Sequence, residues 1–300
     1  MATNQREIRA FGLQRSGNHA VLSWVLGQYP GQRTCFLNNI RHGNHDPYAT
    51  YHGRVLQGLP THIEDEALRA TPKEVLIYSY EDTARKMRPG LSFLESVFDD
   101  AFESHRADYV GESEKSYDVL IIRDPYNFFS SRLKTFERLT GMRDIEWLVE
   151  NWKDLARKVM TIERENEGAL FVVNYNRWRA NAEYRFELAR HLEGEGNDRY
   201  YDSKPLFSGA SSFESDRITP EALVRKWYKV FNIERLRRLP DYYRRLTAPP
   251  PSGNQVINRW KDFAEDPRFR RVAKDQELEE LARELFADTV DIDGIIAACR

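Results

Sequence analysis

Cysteine is nearly absent: Cys35 and Cys299, one near each end, are the only two in 300 residues. Two such residues build neither a disulfide framework nor a zinc pattern, so a reducing, cytoplasmic setting is the simpler expectation. Long apolar runs are also missing, and no window approaches the roughly 18 apolar residues of a membrane span. The opening segment, Met1-Ala-Thr-Asn-Gln-Arg-Glu7, is polar and lacks the apolar stretch of a signal peptide. Net charge is equally scarce, because 45 Lys and Arg nearly cancel 47 Asp and Glu to leave -2. A whole-protein field that would gather nucleic acid or anionic lipid is thereby excluded, although basic residues can still converge locally on an anion. There is no internal repeat and no low-complexity linker. The G-x-x-x-x-G-K-[ST] loop of P-loop ATPases does not occur either.

What is present points to a folded α/β chain. An apolar fraction of 41% with 12% aromatics is enough for a real core. Short apolar runs bounded by turn residues predict strands at 8–13, 34–37, 75–80, 119–122 and 170–173. Helical periodicity predicts helices at 18–28, 126–138, 145–166, 181–192, 220–239 and 275–286. Strands alternating with helices imply a mostly parallel central sheet with helices on both faces. The unbroken Val-Leu-Ile-Ile run at 119–122 suits a central strand covered on both sides. Gly, Ser, Asp and Pro dominate from about 194 to 219, which reads as a long, mobile, lid-like loop. Pro251 and Gly253 break the pattern again, but the tail beyond them is too short for its own core, so residues 1–300 read as one domain.

Two strand ends are suited to anions. In Gly12-Leu-Gln-Arg-Ser-Gly-Asn-His19 a strand turns into a helix whose free N–H groups and positive dipole end favour phosphate. Gly17 permits close backbone approach, Ser16 offers a hydroxyl and Arg15 a fixed positive charge. Taken alone, the segment is equally an ordinary βα turn with a capping Ser or Asn. The strand at 119–122 runs into Arg123-Asp-Pro-Tyr-Asn-Phe-Phe-Ser-Ser-Arg132, with Ser131 eight residues after Arg123. Singly, Arg123 reads as a partner of Asp124 and Ser131 as a small helix residue. Two anion-ready strand ends in one sheet change that balance.

Together, Leu13-Gln-Arg-Ser-Gly-Asn-His19 and Ile122-Arg-Asp-Pro-Tyr-Asn-Phe-Phe-Ser-Ser131 resemble the two nucleotide motifs of sulfotransferases that use 3′-phosphoadenosine-5′-phosphosulfate (PAPS). The resemblance implies a P-loop-like sulfotransferase architecture. It also implies that Arg15, Ser16, Gly17, Asn18 and His19, with Ala20 beside them, face the phosphosulfate. Arg123 and Ser131 would face the 3′-phosphate. Weaker echoes follow: Phe171-Val-Val-Asn-Tyr-Asn-Arg-Trp178 stands where the family has a strand ending in Y-E-x-L, and Asn258-Arg-Trp-Lys-Asp-Phe263 is similar to its W-K segment, which puts Trp260 near adenine. Asn18-His19 replace the family's usual Thr-Thr, so an amide and an imidazole stand where hydroxyls are expected. Asn176 stands where the family has Glu and carries no catalytic weight.

Sulfuryl transfer resembles phosphoryl transfer, with in-line attack and charge to stabilise on the leaving phosphate. Arg15 and the helix N-terminus can supply that stabilisation, so no metal is required, and the product is 3′-phosphoadenosine-5′-phosphate (PAP). A base must take the acceptor's proton. Glu81, just past the strand at 75–80, is the first candidate, and His42, in a polar loop with His45, is the second; His19 more naturally meets phosphate. A solvated Glu81 beside an Asp82 helix cap is the bland alternative. Asn38-Asn39 and the segment from Tyr48 to Tyr51 are expected in the acceptor wall. The acceptor is read as a small molecule or carbohydrate bearing a hydroxyl or amine, with no nucleic-acid partner and the oligomeric state open. Two rivals stand beside this reading: a PAP- or PAPS-binding module without catalysis, and a P-loop-like kinase.

Overall fold

Parity along the strands sets the layers. In the computed structural model, which describes residues 3–40, 46–82, 100–136, 142–165, 170–199, 201 and 256–299, neighbouring strand residues are buried on opposite sides of one sheet. Ile8, Ala10, Phe36, Val75, Ile77, Val119 and Ile121 join one apolar cluster. Phe11, Cys35, Leu37, Leu76, Tyr78, Leu120 and Ile122 join the other. A strand covered on both faces has no polar side to show water, which is why these segments read as unbroken apolar runs.

The strands are β1 (Asn4–Gly12), β2 (Thr34–Ile40), β3 (Gly53–Gln57), β4 (Lys73–Glu81), β5 (Ser113–Ile122) and β6 (Leu170–Asn174). They lie in the order β3-β2-β4-β1-β5-β6. Every neighbouring pair is parallel except β2 with β3. The helices are α1 (Asn18–Leu26), α2 (Pro47–Thr50), α3 (Asp65–Ala70), α4 (Asp100–Val110), α5 (Pro125–Phe136), α6 (Met142–Glu165), α7 (Tyr175–Ala180), α8 (Ala182–His191), α9 (Pro267–Ala273), α10 (Gln276–Phe286) and α11 (Ile292–Cys299), with a 3-10 segment at Val256–Phe263. Val21, Leu22, Trp24 and Val25 of α1 and Leu188 of α8 cover the Ile8 face. Phe128 and Phe129 of α5, Trp152 and Leu155 of α6 and Phe286 of α10 cover the Phe11 face. The sheet is thus mostly parallel with helices on both faces, as expected. Among the described residues no helix is long and apolar enough to cross a membrane.

The chain leaves β1 towards β2 on one side, whereas it leaves β5 towards β6 on the other. Ligand crevices in open α/β sheets form at such a reversal, beyond the carboxyl ends of the strands. Register fixes what meets there, because Gly12 pairs with Glu81 on one side and with Ile121 on the other. Ile122 in turn pairs with Asn174.

Three differences from the sequence reading have physical causes. β3 was not expected; it is an edge strand, half-exposed along its length, so it needs no apolar run. β5 begins at Ser113 rather than 119, because its polar first half pairs with β1 through backbone bonds. α4 and α7 were missed; α4 has mostly exposed described residues, and α7 is one short turn set by Asn174, which accepts from the Asn176 and Arg177 N–H groups. The helix expected at 220–239, the break at Pro251 and Gly253 and most of the loop expected at 194–219 lie outside the described residues.

Ile121 is fully buried at the centre of the sheet. Replacing it with Ala removes a buried aliphatic side chain and leaves a cavity, so Ile121→Ala should cost about 2–5 kcal/mol of stability in urea unfolding. A loss under about 1 kcal/mol would contradict its central placement.

Candidate functional site

The β1–α1 turn is a strained loop. Arg15 has φ 76° and Gly17 φ 96°, two left-handed residues within three. Ser16 N–H closes the turn on the Leu13 carbonyl at 3.0 Å. No side chain caps α1 at Gly17, so the helix's positive end stands at the sheet's carboxyl edge. Arg15 is solvent-exposed, whereas Ser16 is buried. The Ser16 hydroxyl finds no hydrogen-bond partner among the described residues. A buried hydroxyl left unpaired costs about 1–3 kcal/mol, and an anion in the loop would satisfy it. Ala20, half-buried, closes the first turn of α1 through its N–H to the Gly17 carbonyl at 2.9 Å.

Asn18 and His19 lean towards β4. The Asn18 Nδ2 donates to Glu81 Oε1 at 2.9 Å and lies 3.2 Å from the Gly12 and 3.1 Å from the Leu13 carbonyl. Its amide nitrogen therefore ties the turn to β4. His19 Nε2 lies 3.8 Å from the same Glu81 oxygen. Glu81 is itself buried at the end of β4, which corrects the picture of a solvated carboxylate. Asp82 is fully buried and paired with Arg132 at 2.6 Å. Burial pushes the Asp82 carboxyl up to about 6, against the lowering effects of Arg132 and the Gln14 N–H.

The second segment joins the first through Arg123. This buried residue at the end of β5 donates from Nη1 to the Arg15 carbonyl at 3.1 Å. Its guanidinium lies 5.4 Å from the Tyr175 ring centre, and its own carbonyl accepts the Trp152 indole N–H at 2.9 Å. The Arg123 Nε sits 4.0 Å from Asp124, a loose contact beside the bonds Asp124 makes elsewhere. Asp124 accepts from the Asn127 backbone at 2.8 Å and from the Asn176 amide at 3.0 Å. Asn176, given no catalytic weight from sequence, is thus a fixing residue for the β5–α5 turn. Ser131 is buried on α5. Trp260 N–H bonds Asn127 Oδ1 at 3.3 Å, which lays the 3-10 segment against α5. The Trp260 ring lines a groove of about 370 Å³ with Asn258, Lys261 and Asp291, a groove that Arg15, Ser16 and Arg123 do not line.

Of the residues singled out from sequence, Arg15, Ser16, Gly17, Asn18, His19, Ala20, Glu81 and Arg123 are gathered at one sheet edge, with Ser131 and Trp260 placed through α5. His42 and His45 lie outside the described residues. Tyr48 does not line an acceptor wall: it is buried in the core beneath Arg69 and Lys73. Tyr51 is held by Asp65 at 2.9 Å, and Asn38 is buried against Ser79. Sequence reasoning missed Arg132 and Tyr175. Arg132 had a signal, since it shares a helical face with Phe128 and a cation there needs a buried anion.

Gly17 tests the packing of this edge. A Cβ there would lie 2.2 Å from the Tyr175 ring, at a φ that side chains rarely adopt. Gly17→Ala should therefore cost about 1–3 kcal/mol in thermal or urea unfolding. Combined with Tyr175→Ala the two losses should sum to less than additivity, by about 0.5 kcal/mol or more. Strict additivity would show that ring and turn do not touch.

No family model matches the sequence, and no curated protein sequence matches it either. Solved structures are similar to most of the chain. One is the mouse sulfotransferase SULT7A1 complexed with PAP, 14% identical, with 86% of this chain and 89% of that chain covered at a TM-score of 0.41. Another is the sulfotransferase domain from the Synechococcus PCC 7002 olefin synthase, 12% identical, covering 88% and 96% at 0.38.

Proposed function

We propose that the protein is a sulfotransferase that moves a sulfuryl group from PAPS to a hydroxyl or amine of a small-molecule or carbohydrate acceptor. The observation that carries this reading is the bond from Arg123 to the Arg15 carbonyl, which makes two anion-ready strand ends into one edge. The unpaired, buried Ser16 hydroxyl beside it fits a bound anion. PAPS would supply the activated sulfuryl group and leave as PAP.

On this reading Arg15, Ser16 and the α1 N-terminus, with Gly17, Asn18, His19 and Ala20 forming the turn, hold the phosphosulfate end. They stabilise the charge that develops on the leaving phosphate. The guanidinium of Arg123 and the hydroxyl of Ser131 hold the 3′-phosphate, with Trp260 towards the base. Such charge-assisted bonds from fixed donors supply binding without a metal. Glu81 is the proton acceptor: one carboxylate oxygen takes the Asn18 amide, which orients the group and leaves the other oxygen for the acceptor's proton. His19 Nε2 lies near the same oxygen, at 3.8 Å.

A second reading has an observation of its own. The Glu81 side chain is only 9% exposed and already bonded, as suits a turn-bracing residue in a PAP-binding module without catalysis. Two measurements separate the readings. Calorimetry should show PAP binding by the wild type, weakened about 10- to 100-fold in Arg123→Ala, the worth of a hydrogen bond to a charged group. Wild-type protein that does not bind PAP sinks the nucleotide assignment. Labelled sulfate transfer from PAPS across a panel of alcohols, sugars and amines should fall by roughly two orders of magnitude in Glu81→Gln with PAP affinity kept. Unchanged turnover removes Glu81 from the chemistry, and no transfer by the wild type favours the binding module.

A further inference from the structure

Asp82 and Arg132 meet where charges are expensive. Their side chains are 0% and 1% exposed, and Nη2 lies 2.6 Å from Oδ2. A buried pair of this kind is often no more stabilising than apolar residues of the same size, so stability alone does not account for it. Its second set of bonds does. Asp82 Oδ1 accepts the backbone N–H of Gln14. Arg132 Nη1 reaches the Gln14 carbonyl at 3.5 Å and its side-chain Oε1 at 3.3 Å. The pair therefore grips one residue by its N–H and its carbonyl together.

Gln14 is the residue before the strained Arg15. A non-glycine residue in the left-handed region costs about 1–2 kcal/mol, and such strain persists only where the surroundings over-determine it. Here the residue just past β4 is Asp82 and α5 contributes Arg132, while Arg123 just past β5 holds the Arg15 carbonyl at 3.1 Å. Two consecutive residues are thus held by three side chains from three elements. The Phe128 ring, 5.7 Å from the Arg132 guanidinium carbon, closes the apolar side. Glu81 and Arg15 are the nearby charges on neighbouring positions.

We infer that Asp82 and Arg132 are positioning residues: they clamp Gln14 so that the Arg15–Gly17 turn is held open for an anion before one arrives. The inference rests on the anion-binding reading of that turn. A preformed turn avoids the ordering cost of binding, and the clamp also links the two subsites, because Arg132 follows Ser131 directly on α5.

Arg132→Lys separates positioning from simple neutralisation. Lysine keeps the positive charge for Asp82 but lacks the planar fork that reaches Asp82 and Gln14 at once. In the full-length chain without ligand, the variant should exchange the Gln14 and Ser16 amide protons about tenfold faster or more, while β1 and β5 amides keep their protection. PAP affinity should fall about tenfold or more, near the worth of one hydrogen bond to a charged group. Wild-type exchange and wild-type affinity in the lysine variant would overturn the clamp. If the variant does not fold, the unaltered protein decides: a Gln14 amide that exchanges as fast as a free loop amide overturns it, and a protected one supports it. Loosened exchange in a chain whose wild type binds no PAP would retain the clamp and reject the nucleotide reading. Unchanged exchange rejects the clamp even where PAP binds.

Discussion

The parallel pairing of β1 with β4 on one side and β5 on the other is the constraint on which everything else depends. It sets Gly12 level with Glu81 and Ile121, so three chain segments emerge side by side from the same edge of the sheet. A single-residue slip in this register would turn every apolar side chain of β1 to the opposite face. Because both faces are buried, that slip would expose no water-facing side but would break the match of each face with its helices. The arrangement of the strand ends is therefore as well specified as the core beneath it.

The buried charges divide along the same strand. Towards its N-terminal end β1 carries Glu7 and Arg9 on the Phe11 face. Glu7 takes bonds from the Tyr78 hydroxyl at 2.5 Å and Arg106 at 2.8 Å, and Arg9 forks to Asp118 at 2.8 Å. Towards the C-terminal end the same face turns apolar at Phe11 and Leu13, and charge reappears only beyond the strand, in Asp82 and Arg132. The lower network fastens α4 and β5 to the sheet. The upper pair acts on a loop. Both obey one rule, that a charge leaves water only with a partner.

What could be read from sequence follows from where the information resides. The apolar runs at 75–80 and 119–122 announced their strands because full burial permits nothing else there. β3 and α4 hid because an edge strand and a half-exposed helix tolerate almost any composition. At the candidate site, the turn residues and Arg123 were visible as anion-ready chemistry at strand ends. The roles of Asp82, Asn176 and Tyr175 were not, since each depends on a partner more than 40 residues away in sequence: Arg132, Asp124 and Gly17 respectively. Tyr48 shows the converse, an aromatic in a polar loop that reads as a wall residue but fills core.

Asn18 changes meaning most between sequence and fold. As a replacement for a hydroxyl residue it looks like a substitute phosphate ligand. In the structure its amide nitrogen points back under the turn, to Glu81 and the end of β1. A threonine has one donor and could not reach these acceptors together, so the asparagine does a bracing task that the shorter residue cannot. On the proposed reading, anion binding then falls on the loop backbone, on Arg15 and on the unpaired Ser16 hydroxyl. Those groups are held from below by Asn18 and from the side by Asp82 and Arg132. The turn can be strained at Arg15 and Gly17, and leave a buried hydroxyl unsatisfied, because its neighbours on β4, β5 and α5 leave it no other path.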